Sequence, residues 1–252
     1  MKKVVWLLSV LFLLVGTYVW AAPFNVRPVV VNNAPSGEDS LQTIFDNIGL
    51  SNYNVVDDQH PAAIFTHTAS GGSTASFLVE FAGWSDVNEV GIYDYNRSTM
   101  ATIFTGNATS GWKALITFYD DYIMVDIKMD NGTTISSTKY DDFGDTFGFY
   151  IKSPNSIFYS EDDKNPNEEA HVLVYRGDGS SYIDDNTYGS GMEGTFDSFE
   201  WILAFEDATD FDYNDAVILV ESIEPVPEPA TMLLVGAGLL GIGFVGRRHL
   251  KK

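Results

Sequence analysis

Between residues 122 and 138 the chain alternates. Ile123, Val125, Ile127 and Met129 take turns with Met124, Asp126 and Lys128, the period of a strand buried on one face. Asp130-Asn131-Gly132 supplies turn chemistry, and residues 133–138 read as the returning strand of a hairpin. Shorter apolar runs at 77–81, 90–93, 114–119, 147–151, 171–175, 199–205 and 216–220 are separated by turn residues, with no strand–helix–strand rhythm. This pattern predicts an all-β fold, an antiparallel β-sandwich of jelly-roll-like kind. One stretch breaks the period. Leu41, Ile44, Phe45 and Ile48 recur at helical spacing, with Asp39 or Ser40 to cap the start and Gly49 to end it. It predicts one short N-terminal helix packed on the sandwich. Residues 176–196, rich in Gly, Ser, Asp and Tyr, read as the main loop. No internal repeat is visible, so residues 24–223 read as a single domain.

The two ends follow neither period. Lys2 and Lys3 precede an apolar run from Val4 to Val15, and small residues follow at Ala21 and Ala22. This is the pattern of a secretory signal peptide over residues 1–21, cut by signal peptidase between Ala21 and Ala22; an uncleaved signal anchor is the alternative. Near the other end, Pro225, Pro227 and Pro229 break regular structure before sixteen apolar residues from Ala230 to Val245. At ~1.5 Å per residue such a helix spans ~24 Å, short of the ~30 Å hydrocarbon core, so flanking groups must snorkel or the bilayer thin. Arg247, Arg248, Lys251 and Lys252 favour a cytoplasmic C-terminus. Two GxGxxG matches, at Gly236 and Gly241, lie in this segment. They lack the preceding strand, following helix and downstream acid of a dinucleotide loop, and read instead as small residues in a membrane helix. Val226-Pro227-Glu228-Pro229, the apolar helix at 230–246 and Arg247-Arg248 together resemble a PEP-CTERM sorting signal over residues 225–252. That resemblance implies a Gram-negative-type bacterium, export and transient anchoring in the inner membrane. It further implies recognition by an exosortase and delivery of the body to the cell surface or an extracellular polysaccharide matrix.

Charge then narrows the partners. Six of the 14 Lys and Arg residues lie in the two ends, leaving eight against all 35 acids, a balance of −27 for the chain between them. Such a surface repels phosphate backbones, which excludes nucleic acid, and attracts cations. There is no cysteine, hence neither disulfide framework nor thiol nucleophile. His60, His67 and His171 are too scattered for a zinc motif, and no GxSxG elbow is present. Paired carboxylates suffice for a glycoside hydrolase, but acids are so abundant that a pair signifies nothing. The chain reads as non-enzymatic.

The densest acids are Glu206, Asp207, Asp210, Asp212 and Asp215, with Asn214 among them. Hard oxygens at alternate positions suit Ca2+. Asp210, Asp212, Asn214 and Glu221 even match positions 1, 3, 5 and 12 of an EF-hand loop, but Asp215 replaces its turning glycine and the flanks read as strands. The alternative is an acid-decorated turn. A second acidic stretch, Glu161 to Glu169, reads as a solvated loop in preference to a partner of the first. Phe147-Gly148-Phe149-Tyr150, Phe158-Tyr159-Ser160-Glu161, His171 to Tyr175, Phe205-Glu206-Asp207 and Phe211-Asp212-Tyr213-Asn214-Asp215 come in one order. Residues 147–222 so resemble the domain of unknown function 4114 family, which implies a β-rich surface domain that binds calcium. Tyr213 stands where that family would have Phe. A carbohydrate-binding module for exopolysaccharide is the other reading: Trp84, Trp112 and Trp201 then present faces to sugar rings, unless they fill the core.

Overall fold

A computed structural model describes residues 25–68, 87–106, 108–129 and 131–226, and the backbone of 73–79. Residues 1–24, with the expected signal peptide and its cut at Ala21 and Ala22, and residues 227–252, with Pro227-Glu228-Pro229, the apolar segment at 230–246 and Arg247-Arg248, lie outside the described residues, as do Trp84 and Asp130. Among the described residues no helix is long and apolar enough to cross a membrane.

The alternating stretch forms the expected hairpin. Strand β6 (Tyr122–Lys128) buries Ile123, Val125 and Ile127 and leaves the residues between them partly exposed. It returns as β7 (Thr134–Asp141). The turn is closed by Met129 N donating to Thr133 O and Gly132 N to Met129 O, and Asn131 Oδ1 accepts from Thr133 N. Gly132 sits at φ +79°, where a side chain is strained. Met129 lies past the end of the strand and is exposed.

Among the described residues the strands form two main antiparallel sheets. One runs β15 (Ile223–Pro225), β1 (Ile64–His67), β8 (Thr146–Lys152), β3 (Glu89–Asp94) and β4 (Met100–Thr105), with β9 (Ile157–Tyr159) also paired to β8. The other runs β10 (Val172–Arg176), β13 (Glu200–Phe205), β14 (Ala216–Glu221), β2 (Ser73–Val79), β5 (Lys113–Phe118), β6 and β7. The chain passes between the sheets repeatedly, and apolar side chains from their facing surfaces make the main core. The fold is the expected antiparallel sandwich.

Strands β10, β13 and β14 are buried on both faces, which explains their continuous apolar runs. Trp201, Leu203 and Phe205 enter the core between the sheets, while Ile202 and Ala204 turn the other way. That second face is covered by helix α1 (Leu41–Asn47), through Leu41, Ile44, Phe45 and Ile48. Ser40, not Asp39, caps the helix, its hydroxyl accepting from Thr43 N. Gly49, at φ +91°, ends it, with Leu50 N returning to Phe45 O.

Two loop expectations are corrected. Residues 176–196 are not a loop throughout: β11 (Tyr182–Asp184) and β12 (Glu193–Thr195) form a separate hairpin, tied to the helix end by Asp184 N donating to Ile48 O. Ile183 and Phe196 anchor it in the helix-side core. The second acidic stretch is only partly solvated: Asp163, Asn167 and Glu168 are exposed as expected, but others are not. Glu161, Asp162 and Asn165 are buried in a pair of 3₁₀ turns. Asp162 receives a bidentate Arg27 guanidinium at 2.6 and 3.0 Å, and Glu161 accepts from Tyr93 Oη at 2.5 Å. Charges on one strand of sequence found partners from distant segments, which local composition does not reveal.

Candidate metal centre

Glu206 follows the last residue of β13, and Asp215 precedes the first of β14. Phe205 pairs with Ala216 across the ladder. The ten-residue connection therefore has both ends held by two fully buried strands. Within it, Glu206, Asp210, Asp212 and Asp215 bring one carboxylate oxygen each within 4.8 Å of all the others. Three of the four are buried and Asp210 is exposed.

The loop reaches this shape through unusual backbone. Phe211 and Tyr213, neither a glycine, sit at φ +56° and +57°, a conformation that costs about 1–3 kcal/mol at each. Tyr213 is pinned by its core packing and by donating to Ala170 O at 3.1 Å. Amides satisfy part of the acidity: Glu206 accepts from Ala208 N at 3.0 Å and Asp212 N at 3.1 Å, and Asp215 from Asp207 N at 2.7 Å. His171 donates from Nδ1 to Glu206 O at 3.0 Å and stacks on Phe158, so its Nδ1 is engaged by the backbone.

Of the six residues expected to bind metal, Asp207 stands apart. Its carboxylate accepts from Asn88 Nδ2 at 2.7 Å and is not one of the four that converge. Asn214 lies inside the loop, its Nδ2 donating to Asp39 O at 3.0 Å and towards Glu38 at 3.4 Å. Glu221 is not in the group; it lies on β14 opposite Glu200, so the EF-hand spacing is coincidental. Sequence reading missed Glu38, Asp39 and Asn32, the last of which donates to the carbonyls of Asp210 and Phe211. Their only signal was the acidic pair before the helix, which reads equally as a cap.

The donor set fits a hard cation. Every candidate atom is oxygen, which suits calcium and disfavours metals that choose nitrogen or sulfur. Two oxygens are orphaned: Asp212 Oδ2 and Asn214 Oδ1 are buried without a hydrogen-bond partner, in residues 1% and 0% exposed. An unsatisfied buried polar atom costs about 1–3 kcal/mol, more if charged.

Electrostatics point the same way. Burial, reinforced by the carboxylates around it, pushes Glu206 up to about 8, Asp215 to about 9 and Asp212 to about 6. Without a cation Glu206 and Asp215 hold protons near neutrality, while Asp212 is largely ionised. Raised carboxyls stabilise the metal-free fold fully below the ordinary carboxylate range and lose that contribution as pH rises towards about 9. A divalent ion competes with those protons, so its affinity is expected to rise across the same window. Calcium isotherms at pH 6 and pH 9 should show tighter binding at the higher pH, with proton release at the lower; equal affinities would contradict this electrostatic picture.

The C-terminal sequence carries a recognisable sorting signal. Residues 225–248 match the PEP-CTERM protein-sorting motif. The motif marks this chain as an exported, exosortase-targeted protein. The PEP-CTERM segment opens inside the sandwich: Pro225 is the last residue of β15, and Val226 N donates to Ile64 O at 2.9 Å. Comparison with curated proteins finds no match. Among solved structures, the Chromobacterium violaceum lectin CV2L, in complex with alpha-methyl-fucoside, is similar at 13% identity with a TM-score of 0.25, covering 66% of this chain and 98% of the lectin chain. A likeness of that size does not bear on function.

Proposed function

We propose that this chain is a non-enzymatic surface or matrix protein of the domain 4114 kind, whose sandwich is stabilised by one calcium ion. Glu206, Asp210, Asp212 and Asp215 would hold the ion, with Asn214 Oδ1 as a fifth oxygen. The ion would supply positive charge where four carboxylates crowd, and fix the connection between two central strands. The observation that carries this reading is an orphaned, buried oxygen, Asp212 Oδ2, on one of four converging carboxylates, with a second, Asn214 Oδ1, on the same loop. Calcium titration tests it: wild type should bind one ion per chain, and an Asp212→Ala, Asp215→Ala variant none. Absence of binding at millimolar calcium would remove the metal from the account.

Processing is proposed as the companion step. The signal peptide at 1–21 would be removed on export, and an exosortase would act near Pro227-Glu228-Pro229. Intact mass of the surface-released protein should then lack residues from Gly236 onward. A mass that includes Lys252 would overturn it.

The sugar-binding alternative loses one platform, since Trp201 is fully buried and donates from Nε1 to Ile223 O at 3.0 Å. Trp112 is different.

A further inference from the structure

Among the described residues the sandwich is open along one side. β4 ends one sheet and β7 ends the other, each paired to a single neighbour. Between them lies a cleft of about 200 Å³, room for roughly seven waters at ~30 Å³ each. Its floor is apolar, from Ile103 and Ile127, and Trp112 lines it while packing partly against the main core.

The other wall is unlike any core surface. Register places Ser136 opposite Ile127, Thr138 opposite Val125 and Tyr140 opposite Ile123. Those three partners point into the core, so Ser136, Thr138 and Tyr140 share the inward face. Where β6 presents hydrocarbon, β7 presents three hydroxyls beside a single apolar side chain, Ile135. Polar residues at core-facing positions mark function when no structural partner consumes them. Tyr140 donates across the mouth to Thr102 O at 3.3 Å; Ser136 and Thr138 are exposed. β7 carries ordinary guards of an edge strand, an exposed Lys139 and a bulge beside Ile127, but neither accounts for hydroxyls on its inward face. Lys139 and Asp141 pair with each other on the alternate face.

We propose that this cleft binds a single ring of an uncharged sugar. The ligand must present an apolar face to an indole and hydroxyls to hydroxyls, which a pyranose does with its C–H face and equatorial rim. It must be neutral: no lining residue carries a charge, and a surrounding balance of −27 repels carboxylates. The cleft takes one ring and not a chain because of its size. This inference is independent of the calcium reading, since the cleft and the acidic loop share no residue.

The test is ligand-detected NMR on the purified protein. Probes are the methyl glycosides of glucose, mannose and galactose, glucuronate, and a strand-forming peptide to report pairing with the β7 edge. At least one neutral glycoside should saturate with a dissociation constant near ~1 mM, as one small ring allows. Trp112→Ala should weaken it about tenfold or more. Should that variant fold poorly, Ser136→Ala and Thr138→Val lie on an exposed strand and should each weaken binding about threefold or more while leaving the melting temperature in place. The proposal is overturned if no neutral glycoside binds at ~100 mM, if the hydroxyl variants bind as wild type does, or if glucuronate or the peptide binds more tightly than every neutral ring.

Discussion

Saturating calcium should raise the melting temperature of this protein by about 5–10 °C. At a free concentration a hundredfold above its dissociation constant, an ion that binds only the folded state adds about 2.7 kcal/mol. A domain of this size gains about 2–4 °C for each kcal/mol. The native loop is poised to show the full effect. Glu206 and Asp215 hold protons near neutrality despite their amide partners, two of its oxygens are orphaned, and Phe211 and Tyr213 sustain left-handed backbone. An Asp212→Ala, Asp215→Ala variant should melt at the same temperature with calcium or with chelator. Asp207→Asn makes the sharper control. Its carboxylate is engaged by Asn88 and lies outside the converging four, so most of the calcium shift should survive. A shift absent in wild type, or retained in the double variant, would dismiss the site.

Trp201→Ala should be among the most damaging single changes, lowering stability by about 3–5 kcal/mol and the melting temperature by roughly 6–20 °C. The indole is fully buried between the sheets, edge-on to Phe65 at 5.4 Å and to His60 at 5.0 Å. Its Nε1–H is the donor to Ile223 O, so removal also strands a carbonyl on β15. Melting with calcium present isolates this loss from the metal. A fall of less than ~1 kcal/mol would mean that the two sheets are not held together as described.

What the sequence showed and what it hid divide along physical lines. β6 and β7 were legible because one face is buried and one is wet, which leaves a period to read. β10, β13 and β14 were legible as apolar runs, though not as strands buried on both faces by a helix from far upstream. β1, β4, β9 and β15 were not foreseen: with three to six residues each, they are too short to display a period and exist because longer neighbours pair with them. In the loop, spacing identified Glu206, Asp210, Asp212 and Asp215, since proximity in sequence became proximity in space. It also nominated Asp207, whose neighbour Asn88 lies 119 residues away. The same blindness to distant partners made Glu161 and Asp162 look solvated.

The hydrogen bond from Val226 to Ile64 has a consequence for mechanics. The sorting motif follows the last strand with no spacer, so a cut near Pro227 leaves almost no leash: one extended residue reaches only ~3.5 Å. If the proposed cut is made there, anything joined to the new terminus would be attached at the β15 edge with almost no intervening chain. Pulling on that attachment would load the β15–β1 pairing first, and the residue whose ring supports that strand from within is Trp201.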